Sequence, residues 1–144
     1  MKVLVLDASV AAKWFLPSAG ESLIDEALRL LKRYSAGELH FLVPDLFWSE
    51  LGNLFWKAVR QGRWSESTAE DSLRAACDRN FETLAATTLL QDAFAIAVTF
   101  DRTVYDSLYV AAAIAANTQL VTADERLANA LGPHLPVKWL GTFV

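Results

Sequence analysis

Short, wholly apolar runs alternate along this chain with stretches in which apolar residues recur every three or four positions. Lys2–Leu6, His40–Val43, Gln119–Thr122 and Pro136–Leu140 have the length and bounding residues of buried strands, and Phe81–Thr87 is expected to hold one more. Helical periodicity covers Ala8–Leu16, which Pro17 helps to end, and Glu21–Tyr34, with Leu23, Ala27, Leu30 and Leu31 on one face and Gly37 in the turn that follows. A long helix is predicted over Asp45–Gln61, stopped by Gly62. Ser67-x-x-Glu70 reads as a capping box opening a helix towards Arg79. Thr88–Val98, Val104–Ala116 and Asp124–Leu131 complete the set. Strands alternating with helices predict an α/β fold around a mainly parallel sheet. No repeat, linker or low-complexity tract interrupts the pattern, so residues 1–144 are expected to form a single domain.

Four acidic residues stand out once these elements are drawn. In parallel α/β sheets ligands collect beyond the carboxyl ends of the strands, and Asp7 and Asp124 fall just past the first strand and the Gln119–Thr122 strand. Asp is also a favoured N-cap, and for Asp7 capping is as good a reading as a site. For Asp124 it is weaker, because Thr122 and Glu125 supply a Ser/Thr-x-x-Glu capping box that leaves the Asp124 carboxylate free. Asp106 lies on Val104–Ala116, a helix apolar in nearly every direction and therefore buried. A carboxylate there costs several kcal/mol unless it is paired or binds a cation, or unless Thr103-x-x-Asp106 caps an exposed first turn. Glu50, on Asp45–Gln61, reads in isolation as a solvated residue in a narrow polar strip with Asn53, Lys57, Arg60 and Gln61. The apolar arc of that helix is wide enough to suggest a second covered surface, such as a homodimer contact.

Composition adjusts this picture only at the margins. Seventeen acids against thirteen Lys and Arg give a net charge of −4, unlike the basic balance usual for nucleic-acid binders; four acids committed to a divalent cation would leave the remainder close to neutral. The single cysteine, Cys77, cannot form an internal bridge, which suits a reducing compartment. No signal-peptide h-region follows Met1-Lys2, and no run of about 18 apolar residues occurs. A soluble, cytoplasmic protein without a membrane association is expected.

Four segments together resemble PIN-domain ribonucleases, in particular the VapC-type toxins of toxin–antitoxin pairs: Val5-Leu6-Asp7-Ala8-Ser9-Val10, Pro44-Asp45-Leu46-Phe47-Trp48-Ser49-Glu50, Thr103-Val104-Tyr105-Asp106-Ser107-Leu108-Tyr109-Val110-Ala111-Ala112-Ala113, and Leu120-Val121-Thr122-Ala123-Asp124-Glu125-Arg126-Leu127. Each is weak alone; their order and spacing across almost the whole chain make the pattern specific. The resemblance implies a three-layer α/β/α domain, with Asp7, Glu50, Asp106 and Asp124 at the acidic positions that hold Mg²⁺ or Mn²⁺, and Ser9 and Thr122 as hydroxyls beside them. It also implies an RNA substrate, a small cognate antitoxin and a homodimer. One departure stands out. Many members carry a further acid or amide a few residues past the fourth carboxylate, where this helix continues Glu125-Arg126-Leu127-Ala128-Asn129, leaving Glu125 and Asn129 as the candidates.

The chemistry suits the residue types. Hard divalent cations take oxygen ligands and keep several waters, and crowded carboxylates repel one another until a cation arrives. Hydrolysis at phosphorus by a metal-activated water then needs no Ser or Cys nucleophile. His40 and His134 read as surface or turn residues. Lys13, Lys57 and Arg60, with Arg63 beyond them, are candidates to hold flanking phosphates, against ordinary solvated helix faces. Trp14, Trp48 and Trp56 read more simply as packing than as base-stacking platforms. The rival readings are a phospho-receiver domain, for which an acidic pair after the first strand is missing, an aspartyl phosphatase, for which Ser9 stands where a second Asp is wanted, and a catalytically inert PIN-like binding module.

Overall fold

The computed structural model describes residues 1–143; Val144, the last residue of the expected 1–144 unit, lies outside the described residues. Its strands are β1 (Lys2–Leu6), β2 (Leu39–Pro44), β3 (Glu82–Leu84), β4 (Leu120–Thr122) and β5 (Val137–Trp139). They form one sheet in the order β3-β2-β1-β4-β5, and every pairing is parallel. Leu4, Val5 and Leu6 of β1 are each 0% exposed. Successive strand side chains point to opposite faces, so this central strand is covered on both sides, as a parallel sheet requires. The helices are α1 (Ala8–Ala11), α2 (Ile24–Ser35), α3 (Leu46–Arg60), α4 (Glu66–Asp78), α5 (Ala86–Phe100), α6 (Val104–Ala115) and α7 (Glu125–Leu131). α6 packs along β1, β2 and β4, while α2 and α3 also pack on β2, giving the three-layer α/β/α arrangement.

Local structure departs from the periodicity at several places. The expected Ala8–Leu16 helix tightens after one turn into a 3-10 segment, Ala12–Trp14, and the Trp14 indole donates to the Ala27 carbonyl at 2.8 Å. α2 begins three residues later than expected because Leu23 adopts a left-handed conformation, φ 58°. Ser65, not Ser67, caps α4: its hydroxyl accepts from the Thr68 N–H at 3.2 Å. α5 is longer than predicted, reaching from Ala86 to Phe100. The wide apolar arc of α3 is largely spent inside the molecule. Phe47, Leu51, Phe55 and Ala58 are buried, and Trp48 stacks on Phe81 while its indole donates to Thr83 Oγ1 at 3.1 Å; Trp56 stays exposed. Among the described residues no helix is long and apolar enough to cross a membrane.

Chain order and sheet order together locate the reversal point. From β1 the chain moves outward through β2 to β3, then crosses back to β4 on the other side of β1. Neighbouring strands from which the chain departs in opposite directions leave a crevice at their carboxyl ends. Here those strands are β1 and β4.

Candidate active site

Asp7 and Asp124 stand at the two lips of that crevice, each at the start of the helix after its strand. The Asp7 Oδ1 accepts from the Ser9 N–H at 3.2 Å, so Asp7 does cap α1. Its other oxygen, Oδ2, accepts from the Thr122 hydroxyl at 2.7 Å, and Thr122 Oγ1 accepts in turn from the Asp124 N–H at 3.1 Å. One buried hydroxyl therefore ties the ends of β1 and β4 together. Ser9 makes a second tie, its hydroxyl accepting from the Ala123 N–H at 3.2 Å.

The expected Thr122–Glu125 capping box is absent. Asp124 itself caps α7, with Oδ1 accepting from the Leu127 N–H at 3.1 Å. Thr122 is already engaged with Asp7, and only one Asp124 oxygen is left over. Asp106 sits in the first turn of α6, whose cap is Thr103: its hydroxyl accepts from the Asp106 N–H at 3.1 Å. Glu50 lies in the second turn of α3 and is not part of a solvated strip. Tyr109 donates its hydroxyl to Glu50 Oε1 at 2.6 Å across the space between α3 and α6.

All four carboxylates line one cavity of about 440 Å³, together with Ser9, Asn53 and the exposed ring of Tyr105. Its electrostatics are those of unneutralised crowding. Burial pushes the Asp7 carboxyl up to about 6, against the pull of its Thr122 and Ser9 hydrogen bonds, and the charges of Glu50 and Asp106 add to the rise. Burial also raises Glu50, helped by Asp106 and opposed by the Tyr109 hydrogen bond. Burial raises Asp106 as well, with Arg102 pulling down and Asp124 pushing up. The Tyr109 phenol is raised by burial and by the neighbouring Asp7 and Glu50 charges, so it stays a donor. Among the described residues no three acidic, His or Cys side chains already close on a single point as a cation cage. The carboxylates instead line the cavity from four separate elements.

The other expected residues are placed less uniformly. Lys13 and Lys57 line an adjoining cavity, and Lys13 is ion-paired with Glu21 at 3.2 Å. The Arg60 guanidinium lies 5.3 Å from the centre of the Trp56 ring and lines neither cavity. Glu125 and Asn129 are exposed and do not line the carboxylate cavity. Tyr109 is the residue that periodicity misses, because it counts as apolar on a helical wheel. Its signal is its position three residues after Asp106, on the same helical face, together with a hydroxyl that needs a partner once buried.

A family model for the PIN domain matches residues 4–131 of this chain. The chain belongs to the PIN-domain family. Within the family it is 35% identical over 128 residues to Ribonuclease VapC3 of Pyrobaculum aerophilum, an alignment covering 88% of this chain and 92% of that one. The PIN fold is also that of the P. aerophilum protein PAE2754, with a TM-score of 0.70, 24% identity, and 98% of this chain and 85% of that chain covered. The Mycobacterium tuberculosis toxin VapC20, described as cleaving the sarcin–ricin loop, shares the fold at a TM-score of 0.64 and 15% identity, over 89% of this chain and 95% of that one. The four segments that carry the sequence resemblance thus meet at one place in this PIN domain, the crevice between β1 and β4.

Proposed function

We propose that this PIN domain is a VapC-type endoribonuclease that hydrolyses RNA phosphodiester bonds with Mg²⁺ or Mn²⁺ held by Asp7, Glu50, Asp106 and Asp124. The observation that carries the reading is the convergence of four carboxylates from four elements on one cavity, with no Lys or Arg among the described residues that line it. The donor set fits a hard divalent ion. It is all oxygen, its charges repel, and the cavity has room for the waters that Mg²⁺ retains when it binds through one or two carboxylates. When bound, the cation supplies an activated water and neutralises charge on the phosphoryl oxygens, which would leave 5′-phosphate and 3′-hydroxyl ends.

The chain's own side chains have defined tasks in this reading. Thr122 and Ser9 hold Asp7 and the start of α7 in register, and Tyr109 aims Glu50 into the cavity. Lys13, Lys57 and Arg60 are the candidates for gripping phosphates outside the metal site. Kinship with a VapC ribonuclease supports a small antitoxin as partner, one that lays an apolar helix near the site and places a basic side chain among the carboxylates. It supports a homodimer too, for which Leu90, Phe94 and Val98 on α5 form an exposed apolar stripe. A single domain acting in the cytoplasm completes the proposal.

The test is cleavage of a mixed structured RNA pool by purified protein with Mg²⁺, Mn²⁺ or EDTA, beside the Asp106→Asn variant. Metal-dependent cutting that the variant loses is the expected result. Cutting that persists in the variant, or in EDTA, refutes the assignment; absence of cutting together with no calorimetric Mg²⁺ or Mn²⁺ binding identifies an inert module.

A further inference from the structure

Beside the carboxylate cavity lies a second one of about 370 Å³, which shares Ser9, Leu54 and Asp124 with it as a common wall. Its chemistry is opposite. Lys13, Lys57 and Arg63 line it, and Glu21 is the acid among them, Asp124 belonging to the shared wall. Lys13 Nζ lies 3.2 Å from Glu21 Oε1, and Arg63 Nη2 lies 3.2 Å from Glu21 Oε2. Both carboxylate oxygens are thus held by cations, one an ammonium and one a guanidinium. That is the donor pair that proteins use for phosphate oxygens.

The surroundings of Glu21 explain how it comes to be there. It is not part of α2; it closes a turn, its N–H donating to the Ser18 carbonyl at 3.0 Å, with Gly20 at φ 83°. Arg63 Nη2 also donates to the Ala19 carbonyl at 3.2 Å, so the guanidinium holds the turn as well as its carboxylate. The Lys13 and Glu21 side chains are only 10% and 16% exposed, which strengthens their attraction over that of a solvated pair. Lys57 lines the same cavity and enters no ion pair among the described residues. Three cations thus face one carboxylate, two of them paired with it and Lys57 exposed at the rim, immediately beside the four acids of the first cavity.

We propose that this second cavity is an anion subsite for the RNA phosphate next to the scissile one, with Glu21 as a resident stand-in that the incoming phosphodiester displaces from Lys13 and Arg63. The identity of the ligand rests on the ribonuclease reading; the competition between Glu21 and a phosphate does not. Glu21 therefore opposes substrate binding, although it is ion-paired in the folded chain. A carboxylate that merely positioned Lys13 and Arg63 for RNA would have the opposite effect when neutralised.

The experiment is fluorescence anisotropy of a labelled, single-stranded 2′-O-methyl oligonucleotide titrated with the full chain in EDTA, where metal-dependent cutting is suppressed. Glu21→Gln is expected to bind about three- to tenfold tighter than wild type, the combined worth of the two displaced ion pairs. The slope of log K against log salt should steepen, because in wild type the phosphate that seats on Lys13 and Arg63 sets a carboxylate charge free, and in the variant it does not. Lys13→Ala and Arg63→Ala should each weaken binding, and Arg63→Ala added to Glu21→Gln should cancel the gain. Asp71→Asn, on exposed α4, removes the same charge away from the cavity and should change neither quantity. If Glu21→Gln melts below the assay temperature, Glu21→Asp, too short to reach both cations, is measured with the same sign expected. Unchanged or weaker binding in the folded variant, or a gain that survives Arg63→Ala, overturns the subsite. Cleavage of RNA is assayed in parallel with Mg²⁺. Tighter binding without any cleavage removes the nuclease and keeps the subsite, whereas cleavage with unaltered affinity does the reverse.

Discussion

Replacing Asp7 by Asn should stabilise the metal-free protein at neutral pH, and the size of the effect follows from two opposed contributions. The Asp7 carboxyl rises from 3.8 to about 6 on folding, roughly two pKa units at ~1.4 kcal/mol each, so ionised Asp7 costs the folded state about 3 kcal/mol. The sign is that of a raised acid. The folded chain holds the proton more tightly than the unfolded one, so stability falls as pH rises from 3.8 to 6 and the full penalty is present above that window. Asn carries no such penalty, but it has one acceptor where the carboxylate used two. If its oxygen keeps the Ser9 N–H, its amide faces Thr122 Oγ1, and the Thr122 hydrogen loses its acceptor, at about 1 kcal/mol. The variant should therefore be about 2 kcal/mol more stable at pH 7.5 and near parity at pH 4.5, a swing of about 2 kcal/mol obtained by integrating the linkage. Urea denaturation in EDTA at both pH values, monitored by tryptophan fluorescence, measures it. With saturating Mg²⁺ the order should invert, because a cation binding only the folded wild type stabilises that protein by mass action. A variant less stable than wild type by the same amount at every pH would show that the capping bonds of Asp7, rather than its buried charge, dominate, and the electrostatic account of the site would fall.

Three further outcomes are expected. Tyr109→Phe removes the donor to Glu50 at constant shape; it should cost about 1 kcal/mol of stability and lower Mg²⁺ affinity about tenfold by calorimetry, while equal affinity would deny Tyr109 any role in orienting Glu50. Thr122→Val leaves one oxygen of the buried Asp7 carboxylate without its donor and the Asp124 N–H without its acceptor, so about 2 kcal/mol should be lost; Thr122→Ser should retain most of it, and equal losses for the two would implicate the methyl group. Ser65→Ala should destabilise α4 by about 1 kcal/mol, whereas Ser67→Ala should stay within about 0.5 kcal/mol; chemical melts that reverse this order would restore Ser67 as the cap.

Much of the architecture is written in local pattern. The apolar runs of β1 and β4, and the 3.6-residue periodicity of α3 and α6, are properties of short segments, and burial on both sheet faces follows from unbroken runs such as Val3–Leu6. The positions of Asp7 and Asp124 after their strands, and of Asp106 on an apolar helix, are likewise legible, because a strand end or a helix face is defined within a few residues. Cap choice is local as well, yet it failed at Ser67 and at Thr122. Several hydroxyls and carboxylates near a helix start compete for the same N–H groups, and the winner depends on what else each one touches. Thr122 was claimed by Asp7, 115 positions away in the chain.

What only the tertiary structure decided is which distant groups share a space. Glu50 reads as solvated on its own helix, and it becomes part of the acidic cavity because the fold sets α6 where the long Tyr109 side chain reaches it across the gap. Glu21 reads as the first residue of a helix, and it becomes the partner of Lys13 and Arg63 because Leu23 turns left-handed and sets the turn against the end of α3. Segment periodicity encodes the direction in which a side chain leaves its own element. The charge, donor or void that meets it is set by packing among elements far apart in sequence, and that packing converts four scattered acids into one site.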